Sequence, residues 1–367
     1  MVNAASLLNF GTTGLAVGDW LYSAYARTAP SYLPLNSYTT SYLVSSYPAL
    51  AAIVSPTVTP VSYAATARTI PSAVYYSVAY GNGTFVATGN GTAAATSTNG
   101  TSWTARTLPQ SGSWQCVAYG NGVFVSIIPA TSVAATSPDG ITWTSRTITG
   151  LANIQSVAYG NGVFVAIDNN FGNSATSSPD GITWTARTLP SSQVWKKIAF
   201  GNGVFVVTCN GATDVAVSPD GINWKIGVMP SSNFNAVAFG NGVFVALSGA
   251  AGTTAAATST NGYDWTARTL PSSNTWSAIT YGNNSFVAVA SGVTVAATSP
   301  DGVTWTGQTL PTNVAWSSIA FGGSIFAVVS TTPGTAAASI AYAVAATTFV
   351  LPVVPARFGT TAYVKAT

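Results

Sequence analysis

The sequence has no histidine and no glutamate, and only 5% of its 367 residues are charged. The absence of histidine excludes the commonest general base and every histidine-dependent catalytic triad. The eight acidic residues are all aspartates. Glycoside hydrolysis generally needs two carboxylates on either side of one bond, so few residues are available for such a pair. This inventory predicts that the chain is not an enzyme, with no catalytic residues and no cofactor.

Basic clusters and long apolar runs are also scarce. Eleven basic residues against eight acidic ones leave a net charge of +3 without a cluster, so nucleic-acid binding is not expected. Residues 1–10 lack the charged region of a signal peptide. The apolar stretch at residues 336–356 contains two prolines and many hydroxyl residues, which argues against membrane insertion. Cys116 and Cys209 stand at non-equivalent places and are predicted to be free thiols, which suits assembly in a reducing cytoplasm.

What the sequence does contain is a repeat. A turn of the type aromatic-Gly-Asn-Gly occurs seven times, and its second residue stands at positions 81, 120, 160, 201, 240, 282 and 322. A spacing of 39 to 42 residues marks a repeat architecture. A second motif, Ser-Pro-Asp-Gly-x-Thr-Trp or a variant of it, occurs at residues 97–103, 137–143, 178–184, 218–224, 259–265 and 299–305.

Each repeat is predicted to form four short antiparallel strands. In the second repeat, residues 115–119 and 123–127 are rich in aromatic and β-branched side chains, and the glycine turn joins them as a hairpin. A third strand at 134–137 is joined to a fourth at 141–147 by the Pro-Asp-Gly turn. Four strands in a repeat of about 40 residues are typical of a propeller blade. The predicted fold class is therefore all-β, a seven-bladed β-propeller of four-stranded blades.

The ends of the repeat region indicate how the ring closes. The repeats contain seven first strands, but only six fourth strands follow the tryptophan of a second motif. Residues 65–71 have the pattern of the missing fourth strand. This N-terminal strand is predicted to complete the last blade. The expected domains are residues 1–61, an N-terminal arm with the first half of a small base, residues 62–345, the propeller, and residues 346–367, the second half of the base.

The Ser-Pro-Asp-Gly-x-Thr-Trp turns resemble the Asp-boxes of sialidase-type propellers, although Asp and Gly are adjacent here. In that family the box is a structural staple, and a catalytic site like the family's would need a Tyr–Glu pair and an arginine cluster. The residues support the same structural role, because Asp can bond nearby backbone N–H groups and close the turn. Asp139, Asp180, Asp220 and Asp301 are therefore predicted to be structural turn residues.

The segments that flank the repeats resemble the two halves of a bacteriophage tail-collar domain, the module of short tail fibres. The matching segments are residues 18–30, 32–36, 47–53, 347–352, 356–358 and 362–367. The usual Cys-Asp-Gly reads Pro34-Leu35-Asn36 here, and without histidine the metal site of some trimeric fibres cannot form, so no metal is expected. The resemblance implies a virion protein in which the propeller is inserted into a small collar-like base, and a homo-oligomer, for which a trimer is one form.

The predicted ring has two unlike rims. One carries the constant glycine turns and Asp-box turns, whereas the loops between second and third strands, on the other rim, vary in length. Variable loops on an anchored scaffold are expected of a binding protein, although neutral drift in unconstrained loops would look the same. The receptor-binding candidates in these loops are Asn169, Asn170, Phe171, Asn173, Asn210 and Asp214.

An aromatic series provides a second candidate site. The series lies five residues before the aromatic residue of each glycine turn, at the start of the innermost strand, and includes Trp114, Trp195, Trp276 and Trp316. Exposed rings at this place could stack on sugars, and the alternative is packing between blades. A series of arginines on the outer strands is expected to be solvated at the rim: Arg68, Arg106, Arg146, Arg187 and Arg268.

Together these features predict a phage tail protein, a tail-fibre or tail-tip subunit of the virion assembled in the host cytoplasm. Its partners would be other virion proteins and a host cell-surface glycan or protein. The alternative is a virion decoration or assembly subunit without receptor binding. A third hypothesis is a carbohydrate-active enzyme.

Overall fold

The computed structural model describes residues 21–22, 62–148, 153–343 and 362–363. In this part of the chain no helix has the length and apolar character needed to cross a membrane. The chain divides into two compact units, one made of Met1–Ser62 with Val344–Thr367 and the other of Tyr63–Ala343.

The described residues form strands joined by turns. In chain order the strands are β1 (Leu21–Tyr22), β2 (Ser62–Ala73), β3 (Tyr75–Gly81), β4 (Thr84–Ser97), β5 (Thr104–Ser113), β6 (Cys116–Gly120), β7 (Val123–Ile128), β8 (Val133–Ser137), β9 (Thr144–Thr147), β10 (Ile154–Gly160), β11 (Val163–Asp168), β12 (Gly172–Ser178), β13 (Thr185–Gly201), β14 (Val204–Asn210), β15 (Asp214–Ser218), β16 (Lys225–Val228), β17 (Phe234–Gly240), β18 (Val243–Ser248), β19 (Thr253–Ser259), β20 (Thr266–Asn274), β21 (Trp276–Gly282), β22 (Ser285–Ala290), β23 (Val293–Ser299), β24 (Thr306–Val314), β25 (Trp316–Gly322), β26 (Ile325–Ser330), β27 (Gly334–Ala343) and β28 (Ala362–Tyr363).

Within each repeat the strands hydrogen-bond in chain order. β6 to β9 form one four-stranded sheet, and so do β17 to β20 and β21 to β24. The long β13 ends the third repeat and begins the fourth, so β10 to β16 make a single seven-stranded sheet. The long β4 likewise spans the second and third strands of the first repeat, between β3 and β5. The chain is all-β with mostly four antiparallel strands per sheet, as predicted.

The last repeat takes its outer strand from the start of the repeat region. β2 lies next to β27 in the sheet that also contains β26 and β25, and β2 includes the predicted closing residues 65–71. Nε of Arg68 donates a hydrogen bond of 2.7 Å to Oγ of Ser339 in β27. The first and last parts of this unit are therefore held in one sheet.

The first unit contains one described pair of strands. Leu21 pairs with Tyr363 and Tyr22 with Ala362, antiparallel, between β1 and β28. Segments close to the two chain ends are thus hydrogen-bonded to each other. The other residues of the collar-like segments, Asp19 among them, lie outside the described residues.

The fourth strand of the second repeat begins later than predicted, at Thr144 instead of residue 141. The backbone N–H groups of Ile141 and Thr142 donate to Oδ1 of Asp139, at 2.8 and 3.1 Å, and so cannot join a ladder. Nε1 of Trp143 donates to the carbonyl of Gly140. The Asp-box turn therefore extends to its tryptophan.

Neighbouring repeats pack through a glycine and an aromatic ring. A Cβ built on Gly120 would lie 2.0 Å from Cγ of Tyr159, so only glycine permits the contact. The same contact recurs from each repeat to the next, and from the seventh to the first: Gly81 with Tyr119, Gly120 with Tyr159, Gly160 with Phe200, Gly201 with Phe239, Gly240 with Tyr281, Gly282 with Phe321 and Gly322 with Tyr80. This contact explains why the aromatic residue and the glycine occur together in the repeat.

The arginine series, predicted to be solvated at the rim, is half-buried and also makes hydrogen bonds to neighbouring strands. Nε of Arg106 donates to Oγ1 of Thr96 at 2.9 Å, and the other four half-buried arginines make the equivalent bond to a Ser or Thr hydroxyl. Each arginine therefore ties its outer strand to the strand beside it. Cys116 and Cys209 are buried free thiols, as predicted.

Candidate functional site

The four tryptophans of the aromatic series are not available to a ligand. Trp114, Trp195, Trp276 and Trp316 each have 0% of their surface exposed. Each packs in a core cluster that joins its own repeat to the preceding one, as Trp114 does with Val86. The candidate role of stacking on sugars is therefore wrong for these four residues, and the alternative, packing between repeats, is what the structure shows.

The residue that follows each of these buried tryptophans is only half-buried, so its side chain lies outside the core. In β13, Trp195 pairs with Cys209 and Lys197 with Thr208, so Lys196 is an extra residue without a partner across the ladder. The same break in register occurs at the equivalent place in five other repeats. A β-bulge of this kind re-aims a side chain and often lies beside a functional site.

These side chains converge on one pocket of about 300 Å³, here called the shared pocket. Every repeat contributes one of the seven half-buried side chains that we call the mouth residues: Tyr76, Gln115, Gln155, Lys196, Asn235, Ser277 and Ser317. Lys197 also lines the pocket, together with Gly249 and Thr331, which lie in second-to-third strand loops. The pocket therefore opens on the rim that carries the variable loops. Trp276 borders it as well but, being fully buried, offers no stacking face.

The mouth position and the place directly after it are the variable places in an otherwise constant strand. A large aromatic or aliphatic residue precedes it, and a Val or Ile, an Ala or Thr, an aromatic residue and a Gly follow two to five places later. The seven mouth residues are all hydrogen-bonding residues but belong to five different types. Sequence reasoning missed this site by one residue. The contrast between this polar place, which varies in type, and the constant residues two to five places later could have identified it.

The shared pocket contains two basic side chains, those of Lys196 and Lys197. Burial lowers the pKa of both Lys196 and Lys197. For Lys197 the interaction with Cys116 acts in the opposite direction, whereas the charge of Lys196 lowers the pKa further. The Cys116 thiol, which interacts electrostatically with Lys197, has its pKa raised to about 12 by burial and is neutral. No carboxylate of the described residues lines the pocket.

The predicted loop at residues 169–173 is held by its own hydrogen bonds. Oδ1 of Asp168 accepts from the N–H groups of Asn153 and Asn170, at 3.1 and 3.0 Å. The N–H of Asn169 donates to the carbonyl of Asn153 at 2.9 Å. Phe171 is 75% exposed at the tip. A fixed loop thus presents an aromatic side chain to solvent, beside the exposed Asn170 and Asn173.

The other predicted loop residues are more engaged. Oδ2 of Asp214 accepts hydrogen bonds of 2.8 Å from both Oγ of Ser191 and Nε2 of Gln193. Asn210 is half-buried at the end of β14. None of the six loop candidates lines the shared pocket, so the segments at residues 169–173 and 210–214 are separate from it.

The Asp-box aspartates lie in separate turns. Oδ1 of Asp180 accepts from the N–H groups of Ile182 and Thr183 and from Oγ of Ser178. Burial alone would raise the pKa of Asp180, but these hydrogen bonds outweigh it and hold the pKa below its usual range. Asp139, Asp220 and Asp301 make the same contacts. Among the described residues no three His, Cys, Asp or Glu side chains are grouped as metal ligands.

No protein-family model matches the chain, and no curated protein is similar to it in sequence. Solved structures are similar to it in fold. A streptogramin B lyase matches with 12% identity and a TM-score of 0.67, covering 77% of this chain and 98% of the lyase. A structure of YCF48 bound to D1 peptide matches with 15% identity and a TM-score of 0.58, covering 77% and 95%. The WD40 β-propeller domain of Doa1 matches with 13% identity and a TM-score of 0.58, covering 76% and 98%.

These likenesses show that the repeat region has a β-propeller fold. They also correct the prediction that the chain is not an enzyme, which is wrong. The similar structures include streptogramin B lyase and virginiamycin B lyase from Staphylococcus aureus, which are enzymes. An inventory of missing residue types therefore does not exclude catalysis on this fold.

Proposed function

We propose that the seven repeats form a closed seven-bladed propeller in a bacteriophage tail protein, a tail-fibre or tail-tip subunit. The propeller binds a host receptor, a cell-surface glycan, through its variable rim. The shared pocket is the centre of that rim, and the loop at residues 169–173 lies outside the pocket.

Contacts between the last and first repeats support the closed ring. Oγ of Ser317 donates to the carbonyl of Tyr75 at 2.8 Å, and the N–H of Val78 donates to Oγ of Ser318 at 3.2 Å. The contact between Gly322 and Tyr80 is the same as the one found in each of the six remaining pairs of neighbouring repeats. With β2 as its outer strand the last blade has four strands like the other blades, and β27 is not left as an unpaired edge.

The observation that carries the binding function is the convergence of the mouth residues. Seven equivalent strands each place one half-buried polar side chain in the same pocket, and the type of side chain differs from repeat to repeat. Amides, hydroxyls and ammonium groups can donate to or accept from sugar hydroxyls. A few convergent polar groups in one concave site are the usual sign of a ligand site.

The tail assignment rests on the flanking segments. Their resemblance to the halves of a tail-collar domain implies one base built from both ends of the chain, and the pairing of β1 with β28 supports it. The base would attach the propeller to other virion proteins and to further copies of the chain. Because a propeller of similar fold is known bound to a peptide, a host protein is the alternative class of receptor.

Binding of the full chain to a glycan array and to bacterial cells tests the proposal. Two variants, Phe171→Ser and the double Gln115→Ala/Gln155→Ala, should each weaken binding by about tenfold or more while the melting temperature is unchanged. The double variant Thr142→Ala/Thr183→Ala is the matched control, because these exposed side chains lie in Asp-box turns. It should bind like the parent.

Other outcomes would favour other functions. A chain that binds neither glycans nor cells but binds virion proteins would be a decoration or assembly subunit. Mass spectrometry of the bound glycan would reveal turnover, which would indicate an enzyme instead of a passive receptor-binding protein.

A further inference from the structure

Two adjacent lysines distinguish the fourth repeat at the shared pocket. The sequence has four lysines, and Lys196 and Lys197 are the only ones that are neighbours. Both line the shared pocket. The five arginines of the propeller, in contrast, hydrogen-bond to hydroxyls on outer strands. The positive charge at the pocket is therefore concentrated in one repeat.

Lys197 is larger than the residues at the equivalent position of the other repeats. The equivalent residues of the other repeats are all small: Ser77, Cys116, Ser156, Ala236, Ala278 and Ser318. Where this residue is serine, its hydroxyl can accept from the next repeat, as Oγ of Ser77 does from the N–H of Val117 at 3.2 Å. Lys197 gives up such a contact and places an ammonium group beside a second one. Departures from a local rule that cost stability are expected at functional sites.

The described aspartates are all engaged elsewhere. Four lie in Asp-box turns, and Asp264 accepts from Nδ2 of Asn261 at 2.8 Å. Asp214 is bonded to Ser191 and Gln193, and Asp168 to backbone N–H groups of its loop. Within the described residues, the two ammonium groups of the pocket therefore have no carboxylate partner. Both lysines are half-buried, and an ammonium group partly withdrawn from water without a charged partner is unfavourable, so a bound anion would offset this cost.

We propose that the shared pocket binds the oxyanion of an acidic saccharide, a carboxylate, sulfate or phosphate group, between the ammonium groups of Lys196 and Lys197. The proposal rests on the proposed function in taking the receptor to be a glycan, and it adds the class of sugar. Gln115, Gln155 and Asn235 would bond the sugar hydroxyls around the charged group. A volume of about 300 Å³ fits a terminal sugar unit.

Protonation supports the assignment. Burial lowers the pKa of both lysines, and a bound anion would favour their charged forms. The other titratable groups that face them are the neutral Cys116 thiol and the Tyr76 hydroxyl. Binding should therefore take up protons at pH values below the ordinary lysine pKa of about 10.4 and weaken as pH rises towards that value.

Calorimetric titration of the full chain with two matched sugars tests the proposal. Methyl glucuronide has a carboxylate where methyl glucoside has a hydroxymethyl group. Inorganic sulfate serves as an oxyanion without a sugar. The double variant Lys196→Gln/Lys197→Ser gives the fourth repeat residues found in its neighbours, such as Gln155 and Ser156, and should fold. Lys225→Gln is the control, because Lys225 is exposed on β16.

The expected result is that the glucuronide binds about tenfold or more tightly than the glucoside, with sulfate as a competitor. The double variant should lose this preference, and Lys225→Gln should keep it. Equal binding of both sugars by the parent would overturn the oxyanion site and leave glycan binding standing. If no sugar binds, sulfate binding by the parent but not by the double variant would support the oxyanion site against the glycan proposal. Absence of both would overturn the site.

Discussion

The side-chain amide of Asn161 donates a hydrogen bond of 2.7 Å to the carbonyl of Pro219, which lies in the Asp-box turn of the next repeat. The equivalent bonds join Asn121 to Pro179, Asn202 to Thr260 and Asn241 to Pro300. The same asparagine has a positive φ of 46° within its own turn. One residue thus shapes a hairpin and links two repeats, which explains why both motifs recur together.

Replacing Asn161 separates these two roles. Asn161→Gly keeps the left-handed backbone and loses only the amide, so the free energy of unfolding should fall by roughly 0.5 to 1.5 kcal/mol. Asn161→Ala should cost about 1 to 2 kcal/mol more, because a Cβ disfavours that conformation. Urea denaturation of both variants measures the difference. A glycine variant as stable as the parent would mean that the link between repeats contributes nothing.

The Asp-box turn should accept asparagine but not alanine. Two repeats already carry asparagine at this place, and Oδ1 of Asn261 accepts from the N–H groups of Tyr263 and Asp264 as an aspartate would. Asp180→Asn should therefore change the free energy of unfolding by less than about 0.5 kcal/mol, whereas Asp180→Ala should lower it by roughly 0.5 to 1.5 kcal/mol. Receptor binding should be unaffected in both. Lost binding at an unchanged melting temperature would show a functional aspartate.

Lys197 should make stability depend on pH below the ordinary lysine pKa of about 10.4. Because burial lowers its pKa, there is a window below the ordinary lysine value of about 10.4 where the unfolded chain holds a proton that the folded chain has released. Stability rises with pH across that window, and the cost of the buried charge is complete at lower pH. Lys197→Ser should therefore raise the melting temperature at pH 7 and flatten the rise. A lower melting temperature of this variant at pH 7 would contradict the argument.

Removing β2 should destabilise the last repeat. A chain without residues 1–73 would leave β27 unpaired along one side, and an exposed strand edge invites aggregation. A chain without residues 1–61 keeps β2 and serves as the control. Light scattering and thermal melting measure both. If the shorter chain stays monomeric and melts like the control, β2 is not needed to complete the propeller.

Turns and strands could be predicted because their chemistry is local. The asparagine of the Gly-Asn-Gly turn adopts φ near 47° and the next glycine has φ near 78°, values that few other residue pairs accept. Alternation of turn signals and β-branched runs at a fixed period then indicated blades. The start of the fourth strand was misplaced because the N–H groups of Ile141 and Thr142 have a closer acceptor in Asp139 than in any strand.

The sequence by itself thus determined the repeat, its turns and the propeller fold, through backbone preferences that act over a few residues. Only the tertiary structure decided which side chains meet. A bulge of one residue buries Trp195 and turns Lys196 into the shared pocket, and no periodicity reveals a one-residue shift of this kind. Lys197 interacts with Cys116 from two repeats away, because the pocket draws one strand from each of seven repeats that are distant in sequence.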